Sequence, residues 1–108
     1  SKAVMAKSAG LLLAQPPQWQ KDRIDAYYWF FGSFAMYQMG GEFWEGWAPH
    51  LAGLLTHQRQ DGNFAGSWDP VGVWDEDGGR IYATALYSLA LQTAQRKAKL
   101  VRAPQMIR

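Results

Sequence analysis

Residues 26–39, AYYWFFGSFAMYQM, carry no charge and run into Gly40-Gly41. A helix of this composition has no polar face, so it is predicted to be buried on all sides. Fourteen uncharged residues fall short of the ~20 that a membrane helix needs, which places the segment in a protein centre. Asp22 or Asp25 can cap its start, near Ile24, and Gly40-Gly41 ends it.

The flanking sequence supplies what would surround it. Residues 2–14 are rich in helix formers, with Val4, Met5, Leu11 and Leu12 at near-helical spacing, and Pro16-Pro17 stops them. A third helix is predicted from about Glu42 to His57. Glu42 and Glu45 suit its amino-terminal dipole, and Trp44, Trp47, Leu51, Leu54 and Leu55 form an apolar stripe. A Gly-, Asp- and Trp-rich connection, Gln58 to Arg80, leads to a fourth helix from about Ile81 to Lys97, uncharged as far as Gln95. The fold class predicted is all-α: two helical hairpins, four main helices, in the order outer, inner, outer, inner.

At 108 residues with 48% hydrophobic positions, 15% aromatic and 19% charged, one domain is the ceiling and intrinsic disorder is excluded. Zero Cys removes disulfides, thiolate zinc sites and thiol nucleophiles, and leaves the redox compartment open. No secretory signal and no membrane-length apolar run are found, so a soluble chain is expected. The net charge of +2 conceals three zones: residues 1–23 carry +3; residues 24–95 set eight acids against Arg59 and Arg80 for −6; and residues 96–108 carry five bases and no acid. The basic run Arg96, Lys97, Lys99, Arg102 and Arg108 has neither interleaved aromatics nor a reading motif, so no nucleic-acid partner is expected. Its bases complement the end of a helix, with Pro104 marking a frayed tail.

The two halves share strings. Ala9-Gly10-Leu11-Leu12 returns as Ala52-Gly53-Leu54-Leu55, and Tyr27 with Ser33-Phe34-Ala35-Met36 parallels Tyr82 with Ser88-Leu89-Ala90-Leu91. The offsets, 43 and 55 residues, place the surplus between Gln58 and Arg80. One domain over residues 1–95 is predicted, with units of about 1–40 and 41–97 and a basic tail, 98–108.

The stretch Leu54 to Trp68, LLTHQRQDGNFAGSW, resembles the QW repeat of squalene and hopene cyclases. Gln58, Gly62 and Phe64 fit one register with Phe in place of Trp; Gln60, Gly66 and Trp68 fit the other. In such a motif a Gln amide can satisfy free backbone groups at a helix end, Gly allows the tight turn, and an indole shields the bonds, making a structural clasp. The longer pattern from YYWFFGSFAMYQMGGEFWEGW through QRQDG and GSWDP to GGRIYATALYSLAL is similar to the prenyltransferase and squalene-oxidase repeat family over residues 9–95. The resemblance implies an α/α-toroid of inner helices wrapped by outer ones. Repeat folds need at least ~3 units to cover their cores, so two hairpins should have open ends. Such a chain either belongs to a longer protein or pairs with a copy of itself through Tyr27, Trp29, Phe31 and Tyr87.

Asp75-Glu76-Asp77 precedes an inner helix, where class II terpene cyclases carry Asp-x-Asp-Asp and protonate an alkene with its middle Asp. Gly78 stands where the last Asp belongs. The enzyme reading requires Asp75 or Asp77 to be buried, raised in pKa and facing the inner-helix side; the scaffold reading leaves both in water. His50 and His57 lie seven residues apart, about 10.5 Å along a helix, too far for one zinc. Neither a phosphate-binding Gly loop nor a Ser nucleophile elbow is present, and no metal or cofactor is expected. The aromatics Tyr27, Tyr28, Trp29, Trp44, Trp47 and Trp74 could also line a groove for a hydrophobic ligand or a cation. Its expected walls are Tyr28, Trp29 and Trp47, and its polar rim Asp69, Asp75 and Arg80. The function predicted is a non-catalytic scaffold or protein-interaction segment. The alternatives are a fragment of a terpene-cyclase-like or prenyltransferase-like enzyme, or an aromatic-groove binder.

Overall fold

The structure, a computed structural model, describes the backbone of residues 2–107 and the side chains of residues 2–20 and 22–97. Its described residues form four α-helices: α1 (Lys2–Leu13), α2 (Ala26–Met39), α3 (Gly41–Thr56) and α4 (Asp75–Ile107), with 3-10 turns at Lys21–Arg23 and Gly62–Phe64. The all-helical class is as the sequence predicts. Asp25, rather than Asp22, caps α2, its carboxylate accepting the Tyr28 N–H at 3.0 Å. Gly40 and Gly41, at φ 65° and 52°, occupy the left-handed region that turns α2 into α3 and that a Cβ disfavours.

α4 departs from its expected bounds. Its first turn begins at Asp75, a break at Gly79 (φ 77°, ψ −169°) follows, and the backbone stays helical to Ile107 rather than ending at Lys97. The side chains of the predicted tail, 98–108, lie outside the described residues.

Helices α2 and α4 run parallel. Just ahead of both, the Val73 N–H donates to the Ile24 carbonyl at 3.0 Å; near the end of α2, Lys97 Nζ of α4 donates to the Tyr37 carbonyl at 3.4 Å. α3 turns back along α2 and buries Trp44, Trp47, Leu51 and Leu54, the predicted stripe without Leu55, which is exposed. Gly32 makes room for Trp47: a Cβ there would lie 2.7 Å from the indole, whose Nε1 donates to the buried Ser33 hydroxyl at 3.0 Å. Tyr87 of α4 is the hub of the core, its ring 5.6 Å from Trp19, 5.8 Å from Trp29 and 5.6 Å from Trp68. α1 buries only Ala9, and its carboxyl end is held by Tyr28, whose hydroxyl donates to the Gln15 carbonyl at 2.9 Å.

Two expectations about α2 fail for one reason. Uniform apolarity says nothing about which side has neighbours, and α2 has them on one side: Ala26, Trp29, Gly32, Ser33 and Met36 are buried, whereas Tyr27, Phe31, Ala35 and Gln38 form an exposed stripe. Of the four residues expected on an open flank, Tyr27 and Phe31 are half exposed, while Trp29 and Tyr87 are core. The repeated strings likewise do not share environments. Ala9 is buried and Ala52 exposed; Leu11 is exposed and Leu54 buried; Ala35 is exposed and Ala90 buried.

Candidate functional site

The connection from Gln58 to Trp74 returns the chain from the end of α3 to the start of α4; Gln58, Gln60 and Asp69 lie on it, and Asp75, Asp77 and Arg80 follow in α4. The first part of the connection closes on itself and is tied to the end of α3 by an indole N–H rather than by a Gln amide. Trp68 is buried and its Nε1 donates to the Leu54 carbonyl in the last turn of α3, at 2.8 Å. Gln58 does not reach the helix end; its amide donates to the Gly66 carbonyl at 2.9 Å inside the loop, and that of Gln60 to the Gln58 carbonyl at 3.1 Å. The reason is geometric. The loop closes on itself through Gly66 N–H to Arg59 carbonyl (2.7 Å) and Arg59 N–H to Ser67 carbonyl (2.8 Å), with Gly62 and Gly66 at positive φ, so the amide faces the loop and the indole faces the helix. Phe64 is half exposed and lies under the Arg80 guanidinium, 4.1 Å from the ring centre.

Asp69 and Arg80 meet as one unit. Arg80 Nη2 lies 2.6 Å from the Asp69 carboxylate, its Nη1 donates to the Ser67 hydroxyl at 2.8 Å, and Arg59 approaches the same carboxylate at 3.5 Å. The Arg80 hydrogen bond holds the Asp69 carboxyl below the usual carboxylate range. The pair pins the loop to the start of α4 and lines no groove with the predicted walls.

Asp75 corrects the expectation of a solvated acid. It is fully buried, its Oδ2 accepting the Gly72 N–H at 2.9 Å and the Tyr87 hydroxyl at 3.3 Å, while Oδ1 is buried without a partner. Loss of water raises its pKa, against the two hydrogen bonds that lower it. Gly72 is tied to this acid, because a Cβ there would meet Asp75 Oδ2 at 2.8 Å and the Ile24 carbonyl at 2.9 Å. Burial and carboxylate contact raise the Tyr87 hydroxyl far above its ordinary value. Asp77, two residues on, is exposed. The requirement of an enzyme for a buried acid is thus met by Asp75, but Asp75 lines none of the clefts described below.

Of the predicted groove walls, Tyr28 meets Trp47 edge-on at 6.1 Å between ring centres and shares a cleft with Trp29. Trp47 and Trp29 are core residues at 0% and 1% exposure. Trp29 and Tyr28 edge a cleft of about 350 Å³ with Gln15, Asp22, Arg23 and Asp25, and Trp47 has no part in it. Burial, with the Asp25 charge second, raises the Tyr28 hydroxyl. A different aromatic cleft, of about 560 Å³, lies where the first turn of α4 meets α2, lined by Tyr27, Trp74, Asp77, Gly78 and Tyr82. Tyr27 and Trp74 belong to the aromatic set singled out in the sequence; Tyr82 does not. The signal for it was Gly78-Gly79: a Cβ on Gly78 would collide with the Tyr82 ring, so that ring lies on bare backbone.

His57 stacks on Trp19 at 4.4 Å and 9° between planes. Among the described residues no group of three His, Asp or Glu could hold a metal ion, and no helix is long and apolar enough to cross a membrane. No protein-family model, curated protein or solved structure matches the chain.

Proposed function

We propose that the chain is a non-catalytic α/α-repeat segment of the toroid type, a scaffold that adds a second copy of itself along the open side of α2. The observation that carries this reading is the pairing of parallel inner helices with an exposed aromatic stripe, Tyr27 and Phe31, on the inner helix expected to be covered all round. An apolar helix face left in water costs free energy in proportion to its area, and a copy of the same face removes it. The stripe is continued by Ala35, which lets a second helix approach closely.

The terpene-cyclase-like alternative is favoured by one observation, the burial of Asp75. Against it, Asp75 is not among the described residues that line the two clefts above, and its Oδ2 is engaged by the Gly72 N–H and the Tyr87 hydroxyl.

Because the chain has no Cys, a single introduced thiol reports the pairing face. Ala35→Cys should form a disulfide-linked dimer under mild oxidation, and Gly10→Cys, on α1 with nothing near it, should not. Equal and slow crosslinking of both variants would contradict pairing along α2, and would leave adjoining sequence as the cover of that face.

A further inference from the structure

We propose that the cleft formed by Tyr27, Trp74 and Tyr82, with Asp77 in its lining, binds a methylated ammonium group. This goes beyond the scaffold reading and is stated for a single copy of the chain, since Tyr27 belongs both to this cleft and to the stripe along which pairing is proposed.

Three aromatic side chains converge on one cleft, and two of them are largely in water: Trp74 is 60% exposed and Tyr27 54%. Large aromatics in the core of this protein are packed to almost zero exposure, so these two serve no packing role of that kind. Aromatic faces are electron-rich and attract cations, and a carboxylate beside them adds a full charge. Asp77 is that carboxylate.

The charge within residues 24–95 has the same sign, and Arg23, the base that adjoins them, lines the cleft of Tyr28 and Trp29 and not this one. Residues 24–95 contain only two bases, Arg59 and Arg80, and both are drawn to Asp69. No basic side chain lines the cleft. The carboxylates of Asp75 and Asp25, after burial, help to raise the Tyr82 hydroxyl, so negative potential extends to its wall.

The lining also selects among cations. A primary ammonium or a guanidinium gives up strong hydrogen bonds to water on entering, and this cleft offers one carboxylate and mostly rings in return. A trimethylammonium group donates no hydrogen bond and loses little. Its methyl surface suits aromatic faces, and its charge suits Asp77.

The test uses choline and its uncharged carbon isostere, 3,3-dimethyl-1-butanol, titrated into the chain while indole N–H resonances are followed by NMR. The Trp74 signal is assigned by its loss in Trp74→Leu, which keeps apolar bulk at an exposed position. Choline should shift the Trp74 resonance saturably, and the isostere should bind at least about tenfold more weakly. Asp77→Asn should weaken choline about threefold and leave the isostere unchanged. Trp74→Leu should lose choline binding, read from the Tyr27 and Tyr82 ring resonances. Equal affinity for choline and its isostere would overturn the proposal in favour of a merely apolar cleft. Absence of any shift, or unchanged choline binding in Trp74→Leu, would overturn it outright. Phe31 packs on Tyr27, its ring 4.6 Å away, so pairing is tested instead at Ala35, which is on the exposed stripe but does not line the cleft: Ala35→Asp should abolish pairing and leave choline binding unchanged, and the two readings can fail separately.

Discussion

Two glycines in adjacent helices show how residue-level packing sets the sign of a substitution. Gly32 faces the Trp47 indole, and Gly53 of α3 has nothing within 4 Å of its would-be Cβ. Helix propensity favours Ala over Gly at both positions by about 0.5–1 kcal/mol. Gly53→Ala should therefore stabilise by about that amount, whereas Gly32→Ala should destabilise by about 1–3 kcal/mol through overpacking, both read from denaturant unfolding. Asp75 gives a prediction with an unusual sign for an acid. Its folded pKa is raised, so its contribution is fully present below its unfolded value near ~4 and is lost as pH rises through the folded value. The stability of the wild type relative to Asp75→Asn should fall between pH 4 and neutrality; a constant difference would show that Asp75 titrates normally. Neither feature was legible in the sequence. Asp-Glu-Asp before Gly-Gly reads as a solvated turn, and only the approach of Gly72 and Tyr87 from elsewhere in the fold closes water out.

The helices themselves were legible because their ends are marked locally. Pro16-Pro17 follows α1, Asp25 caps α2, and Gly40-Gly41 separates α2 from α3 within a residue of the expected bounds. The faces were legible only where composition is uneven. The stripe of α3 lies where periodicity puts it, but α2, and α4 between residues 81 and 95, carry no charge, and which side is covered depends on how many neighbours exist. The clasp after α3 shows the same limit. Its residues were identified, but the exchange of roles between Gln58 and Trp68 depends on the path of the loop between them. Trp68→Phe keeps the ring and removes the indole bond to the Leu54 carbonyl, which still accepts the His57 N–H at 3.2 Å, so it should cost about 0.5–1.5 kcal/mol, the worth of one hydrogen bond. Gln58→Ala, whose bond is at an exposed loop, should cost less. Equal losses would mean that the Gln58 amide holds the loop as firmly as the indole does.

At the scale of the molecule, the four helices make a slab 18 Å in its short dimension, thin enough for two helix layers, with a radius of gyration of 15.0 Å. A compact chain of this length is expected near about 13 Å, and the excess reflects a shape longer and flatter than a sphere. Its central seam is well covered, with Trp29, Trp47, Trp68 and Tyr87 at 1% exposure or less, while Tyr27 and Phe31 on α2 and Ile81 on α4 remain in water. Two hairpins thus bury the contact between parallel inner helices and leave the outer flanks of that pair bare. The count of hairpins led to the expectation of a cover over Tyr27, Trp29, Phe31 and Tyr87; Trp29 and Tyr87 are used inside the chain instead, which the sequence did not reveal. The measurement that tests this account most directly is the solution mass of the 12.2 kDa chain by light scattering across a concentration series. The account predicts a mass that rises with concentration to that of two chains, and a rise that Ala35→Asp suppresses. A single-chain mass at every concentration, with cooperative unfolding, would contradict it by showing that two hairpins are complete alone.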